Sequence, residues 1–288
     1  MVALERISLN VGGLHFDGLS AGPKSGELIL LLHGFPQFAD SWTPVLNTMG
    51  SLGFHAVAVD QRGYSPGARP ENVDEYKRSK LVGDVTDFAD LLEAKQFHLV
   101  GHDWGGAVAW AFAAAHPERL KTLTVLSTPH LDALSSALKT DAEQRSKSAY
   151  FQLFRAPGGF AENFLLADDA IKLRDAYMGK LPEDALHANI ERLKQEGALT
   201  ATLNWYRAMD LESPIGEIRV PTLYLWGEND QALGKFAALA TAECCKGPYR
   251  FEIMKGQSHW LLEESPEQII KLVCEHIGFA RSQPSHSV

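Results

Sequence analysis

Phe97-His98-Leu99-Val100-Gly101-His102-Asp103-Trp104-Gly105-Gly106 begins as a short, bounded apolar run and closes on two adjacent glycines. Residues 97–100 predict a strand buried in a sheet. Residues 107–115 are nearly all small and apolar, with Trp110 and Phe112 among the alanines, and predict a buried helix. Strand, sharp glycine-flanked turn, helix is the arrangement that lifts a nucleophile off the end of a sheet, and its serine version reads G-x-S-x-G. Here the nucleophile's place is taken by Asp103. A serine attacks acyl carbons. A carboxylate is poor at that, but it displaces a leaving group from an alkyl carbon and becomes an ester in doing so. The turn therefore points away from ester and peptide cleavage, towards opening epoxides or breaking carbon–halogen bonds.

Outward from this turn the chain alternates strands with helices. Residues 6–11 alternate like an edge strand, with residues 14–19 as their hairpin partner, and residues 28–32 are continuously apolar, as in a strand buried on both faces. A helix over 41–52, a strand over 55–60, a helix over 80–94 and a strand over 123–126 follow the same logic. The alternation predicts an α/β fold with a mostly parallel, doubly wound sheet. It stops at Thr128-Pro129-His130: from Leu131 to about Asp210 only helical patterns occur, broken at Pro157-Gly158-Gly159, Gly179 and Pro182. Strands return over 222–226 and 250–254. A last helix opens on Ser265-Pro266-Glu267-Gln268, a capping box, and buries Ile269, Leu272, Val273 and Ile277. The expected organisation is a core of residues 1–129 and 215–288, with an inserted all-helical lid over 130–214. Such an insertion lies over the carboxyl ends of the strands, where open α/β sheets bind ligands. The tail from Arg281 is expected to fray.

Composition sets outer limits. The 288 residues, 45% hydrophobic and 22% charged, are those of an ordinary globular chain able to enclose a pocket. A net charge of −9 argues against nucleic acid or anionic membrane as partners. The start, Met1-Val2-Ala3-Leu4-Glu5-Arg6, does not resemble a signal peptide, and no apolar run reaches the roughly 18 residues of a membrane span. Cys244, Cys245 and Cys274 are odd in number and two are adjacent, which fits packing thiols in a reduced, cytoplasmic protein rather than disulfides, a metal site or catalysis. A small hydrophobic molecule and water are the expected partners, no cofactor or metal is called for, and the chain is expected to be a monomer or homodimer.

Four motifs complete the reading: His33-Gly34-Phe35-Pro36-Gln37, the Asp103 turn, Leu203-Asn204-Trp205-Tyr206-Arg207 and Gln257-Ser258-His259-Trp260. In this order, from Leu28 to Ile277, they resemble the α/β-hydrolase superfamily and within it the epoxide hydrolases. The resemblance implies Asp103 as nucleophile and His259, after the last strand, as the base that deprotonates water, a task suited to an imidazole. A capping aspartate in a similar turn is the plain alternative for Asp103. The orienting acid belongs after the strand 222–226, where Gly227-Glu228-Asn229-Asp230 offers two carboxylates, and the resemblance favours Asp230. Some haloalkane dehalogenases place this acid after the preceding strand, which here has no carboxylate until Asp132. The oxyanion donors would be the N–H groups of Phe35 and Trp104. Pro36 has none to give and shapes the loop, where the family often has a cis bond. His33 and His102 are expected to hold loops by hydrogen bonds.

Epoxide opening expels an alkoxide, which needs a proton or a strong hydrogen bond. Tyr206 matches one lid tyrosine of the family closely, and Tyr150, in Ser148-Ala149-Tyr150-Phe151, matches the other more loosely. Both also read as packing residues of amphipathic helices, since Leu199, Leu203 and Tyr206 share a stripe. Phe35, Trp104, Phe151, Phe154 and Trp205 are the expected substrate lining. Gly63-Tyr64-Ser65-Pro66-Gly67 matches G-x-S-x-G literally, but proline after the serine cannot donate to an oxyanion and no strand or helix flanks it. Haloalkane dehalogenases are the nearest rival: Trp104 offers one halide donor, but Phe35 stands where a second often lies. Fluoroacetate dehalogenases put arginines beside the nucleophile, where this chain has Trp104 and glycines. Ester or lactone hydrolysis and a non-catalytic receptor role stay open behind these.

Overall fold

The apolar run Leu28–Leu32 is buried at each of its five residues, and fully burying each such side chain stabilises by about 1.5–3 kcal/mol before chain entropy is counted. In the computed structural model, which describes residues 3–282, that run is an inner strand of one sheet. Its strands are β1 (Glu5–Val11), β2 (Leu14–Ala21), β3 (Leu28–Leu32), β4 (His55–Val59), β5 (Phe97–His102), β6 (Leu120–Leu126), β7 (Thr222–Gly227) and β8 (Tyr249–Met254). They lie in the order β1-β2-β4-β3-β5-β6-β7-β8. The β1–β2 and β2–β4 pairs are antiparallel and the others parallel. β1 alternates in burial as an edge strand does, whereas β3, β4, β5 and β7 are buried throughout because helices cover both faces. This is the α/β-hydrolase architecture.

The helices before β7 are α1 (Thr43–Ser51), α2 (Arg78–Leu91), α3 (Trp104–Ala115), α4 (Leu131–Thr140), α5 (Ala142–Lys147), α6 (Tyr150–Phe154), α7 (Phe160–Ala176), α8 (Glu183–Lys194) and α9 (Ala198–Arg207); α10 (Lys235–Cys244), α11 (Leu261–Glu264) and α12 (Pro266–Ser282) follow it. Several bounds differ from expectation. α2 stops short of Ala94, because Glu93 turns to φ 56°. β5 runs on past its apolar core, since Gly101 pairs with Val125 and His102 with Leu126, and β6 starts earlier than expected, since Leu120 pairs with Phe97 and Thr122 with His98. α7 is interrupted at Ala167–Ala170, where Asp168, Asp169 and Ala170 take positive φ, a break with no glycine or proline to announce it.

α10 carried no signal in the sequence. It buries only small side chains, Ala237, Ala238 and Thr241, and exposes Phe236 and Leu239, so its apolar pattern is inverted. α12 buries Ile269, Leu272, Val273 and Ile277 against the face that holds Trp42 and Leu46. Fraying is expected from Arg281, but α12 runs on to Ser282; the rest of that tail, with the first two residues of the chain, lies outside the described residues. Among the described residues, no helix is long and apolar enough to cross a membrane.

Candidate active site

Asp103 sits between β5 and α3 with φ 52° and ψ −120°, a backbone conformation costly for any residue with a Cβ. It persists because neighbours hold it: Thr128 Oγ1 donates to Asp103 O at 2.7 Å, and Ala107 N to the same oxygen at 3.0 Å. Close approach explains two glycines here. A Cβ on Gly105 would lie 2.2 Å from Leu32 O, and one on Gly34 would lie 2.2 Å from Asp103 Cβ. The turn thus carries its side chain off the sheet while α3 starts directly beneath it.

Three separate segments converge on the Asp103 carboxylate. Phe35 N donates to Oδ1 at 2.7 Å, and the Trp104 N–H also bonds the carboxylate. His259 Nε2 lies 3.4 Å from Oδ2. On the far side of the ring, His259 Nδ1 donates to Asp230 Oδ2 at 2.8 Å. Asp230 is fully buried and its Oδ1 accepts from Ala232 N at 2.8 Å and Leu233 N at 2.9 Å, while Lys147 Nζ donates to its backbone oxygen. Glu228, the other carboxylate of that loop, faces away and accepts from Gly256 N. Asp132 accepts from Ile215 N and Gly216 N and does not reach the imidazole.

Burial pushes the Asp103 carboxyl up, but the hydrogen bond and charge of His259 outweigh it and hold the group below the usual carboxylate range. Burial lowers His259, and the charge of Asp230 with the bonds to both carboxylates overrides it, raising the imidazole to about 10. His33 and His102 behave oppositely: burial lowers them to about 3 and about 4, so both are neutral. His33 Nε2 accepts from Gln61 N at 3.1 Å and His102 Nε2 bonds His259 O at 3.0 Å, so each ties a site loop in place. Ser127 Oγ donates to His259 O as well, at 2.8 Å, a support with no motif in the sequence. The Phe35–Pro36 peptide is cis.

These shifts have opposite signs for stability. A histidine raised from 6.5 to about 10 contributes fully below pH 6.5, and that contribution disappears as pH rises through about 10. The lowered His33 and His102 contribute above pH 6.5 and lose their part as the solution is acidified. Melting temperature should therefore fall between pH 7 and 10 in the wild type by more than in His259→Gln. Parallel curves over that range would show that the imidazole carries no such proton.

Above Asp103, a space of about 700 Å³, part of it open to solvent, is lined by Trp104, Tyr150, Phe151, Trp205, Tyr206 and a run of aliphatic side chains from α2, α4 and the segment after α9. The Tyr206 ring lies 5.0 Å from that of Trp104 and 6.1 Å from that of Tyr150. Burial, then the charges around them, Asp103 included, raise both phenols well above their ordinary value, so they remain O–H donors. α9 is fastened by Trp205 Nε1 donating to Arg62 O at 2.7 Å, and by Arg207 Nη2 on Glu162 Oε1 and Oε2 at 2.9 and 3.0 Å.

Two expected lining residues are placed otherwise. Phe35 and Phe154 are not among the side chains that line this space; their rings meet that of Tyr206 edge-on, at 5.5 and 4.9 Å. Tyr76, Leu131, Leu134, Met209 and Leu233 line it instead. They come from four separate segments, and no local pattern links them. Ser65 is buried, donates to Asp60 O at 2.6 Å and accepts from Asp17 N at 2.9 Å, which makes it a loop fastener. Cys244, Cys245 and Cys274 are free thiols.

The sequence model of the alpha/beta hydrolase fold family matches residues 27–266, and the chain belongs to that family. It is 34% identical to the AB hydrolase superfamily protein YfhM of Bacillus subtilis, over 93% of this chain and 96% of that protein. It is also 34% identical to epoxide hydrolase 3 of Xenopus tropicalis, over 93% of this chain and 76% of that one. Among solved structures, epoxide hydrolase A from Mycobacterium thermoresistibile matches with a TM-score of 0.84 at 26% identity, covering 97% of this chain and 99% of its own. Within the hydrolases, the chain groups with the epoxide hydrolases.

Proposed function

We propose that this chain opens a hydrophobic epoxide to a vicinal diol through an ester on Asp103, without a cofactor. The observation that carries the reading is an ionised, largely enclosed carboxylate sharing one cavity with two phenols that keep their protons, Tyr206 buried and Tyr150 partly so. A carboxylate supplies the electron pair, and the phenols meet the alkoxide as it forms. Asp103 attacks an epoxide carbon, the ring carbon–oxygen bond breaks, and Tyr150 and Tyr206 hold the departing oxygen.

Ester formation also resets the base. Asp103 raises His259 both by charge and by hydrogen bond, and both effects end when the carboxylate is alkylated. The imidazolium then gives up its proton, the alkoxide gains one through the phenols, and a neutral His259, oriented by Asp230, is ready to take a proton from water. The oxyanion of the second half is received by the N–H groups of Phe35 and Trp104. The wall aromatics Trp104, Phe151 and Trp205 suit an apolar substrate. Residues 130–214 act as a lid over the core of 1–129 and 215–288, and a cytoplasmic monomer or homodimer fits three unpaired thiols.

Oxygen-18 water tests the covalent route. Water attacks the ester carbonyl of the protein, so after several turnovers the Asp103 peptide should carry label. An Asp103 peptide that stays unlabelled through many turnovers, with label in the diol alone, would mean that water attacks the epoxide directly.

A further inference from the structure

β8 closes one end of the sheet, and among the described residues nothing pairs with its outer edge. Pro248 O accepts from Thr222 N at 2.8 Å, and Met254 O accepts from Glu228 N, just past the end of β7, at 3.1 Å. Successive residues of a strand offer their backbone groups to opposite edges. The even-numbered residues therefore bond inwards, and Tyr249, Phe251 and Ile253 turn N–H and C=O outwards. An open edge of this kind is a template for another strand.

A bulge often blunts such an edge, but β8 keeps regular register with β7 throughout. Its charges are of opposite sign, two residues apart. The Arg250 and Glu252 side chains are 41% and 38% exposed and pair along the strand at 2.8 Å, and Glu275 of α12 also holds Arg250, at 3.1 Å. On the other face of the strand Ile253 is 38% exposed. It lines a recess together with Lys235 at the start of α10. Leu239, one turn further along the same helix face, is 49% exposed. The edge is thus flanked by apolar surface on the α10 side and by ionic surface on the α12 side.

We propose that β8 pairs with the β8 of a second copy of this chain, antiparallel and centred on Phe251, joining two copies into one continuous sheet. This stands apart from the reading of the reaction. A two-fold axis normal to the sheet keeps the faces matched only if it passes through a residue, and the sequence Tyr249-Arg250-Phe251-Glu252-Ile253 selects which one. Centred on Arg250 or Glu252, like charges would face each other. Centred on Ile253, Arg250 would meet Gly256 and Glu252 would meet Met254, with no counter-ion for either. Centred on Phe251, Arg250 lies opposite Glu252 of the second copy twice over, Tyr249 opposite Ile253, and Phe251 opposite itself. The outward backbone groups are in phase with this register: Phe251 N donates to Phe251 O of the second copy, and Tyr249 and Ile253 exchange bonds in the same way. The Arg–Glu pairs then fall at non-hydrogen-bonded positions, where facing side chains come closest. The same axis sets both copies of α10 on one side of the joined sheet with Leu239 towards its counterpart, adding apolar area that a strand edge by itself lacks. None of these residues lines the space above Asp103.

Sedimentation velocity over a dilution series tests the joint. The wild type should be a dimer that dissociates on dilution. Glu252→Arg and Arg250→Glu each set like charges against one another at both symmetric positions and should raise the dissociation constant at least about tenfold. Arg250→Glu combined with Glu252→Arg restores both pairs and should recover most of that loss. Ile253→Pro removes an outward N–H that β7 does not use, so it should weaken the dimer while an edge strand tolerates it; wild-type circular dichroism shows that each variant is folded. A wild type that stays monomeric at every concentration overturns the proposal. A dimer indifferent to the single reversals and to Ile253→Pro overturns it too, since the copies would meet elsewhere. Loss without recovery in the double reversal overturns the register on Phe251.

Discussion

One addition of epoxide to His259→Gln should raise the intact mass of the protein by one substrate mass, and the mass should stay there. The imidazole is needed for water, not for the displacement. Glutamine keeps a polar end near Asp230 but cannot take a proton. Losing a general base typically costs about 10²–10⁴-fold, so ester hydrolysis stalls while alkylation continues. His259 also pairs with Asp103 at 3.4 Å in the resting site. Removing it lets the carboxyl rise from its lowered position, so alkylation in this variant should need a somewhat higher pH than in the wild type. Asp103→Ala should show no adduct under the same conditions. An adduct of the same mass on that variant would place the nucleophile elsewhere and end the ester reading.

The second large effect belongs to the lid. Tyr150→Phe and Tyr206→Phe should each slow alkylation by an epoxide, and the double variant should nearly abolish it. Loss of a general acid costs about 10²–10⁴-fold, and two donors to one oxygen make the losses non-additive, since either phenol alone still meets part of the charge. Phenylalanine preserves the contacts of Tyr206 with Phe35, Phe154 and Trp104, so folding should survive. The readout is pre-steady-state alkylation of Asp103, which a slow hydrolytic half cannot mask. A bromoalkane offered to the same variants is a control, because a halide gains far less from a phenol than an alkoxide does. Wild-type alkylation by the double variant would return both tyrosines to packing.

The strand–turn–helix around Asp103 was legible because its determinants are local: an apolar run, glycines where backbones touch, a small-residue helix. α10 was not, since it buries alanines and exposes Phe236 and Leu239. Nor was the break within α7, whose residues carry no turn chemistry. Between Glu228 and Asp230 the sequence offered a choice by resemblance, and the structure turns only Asp230 towards the imidazole. Phe35 and Phe154 had the chemistry of lining residues, but their rings pack against Tyr206, which lines the space where they do not.

By itself, then, the sequence determined the fold class, the aspartate in place of a serine and the loops that bear His259 and Phe35, because periodicity and turn chemistry act over a few residues. Tertiary structure alone decided which groups meet. Phe35 reaches Asp103 across 68 positions, His259 reaches Asp230 across 29, and Gln37 reaches Glu263 across 226. Those meetings follow from the order in which parallel strands lie in the sheet, and strand order is a property of the packed whole that no short stretch encodes.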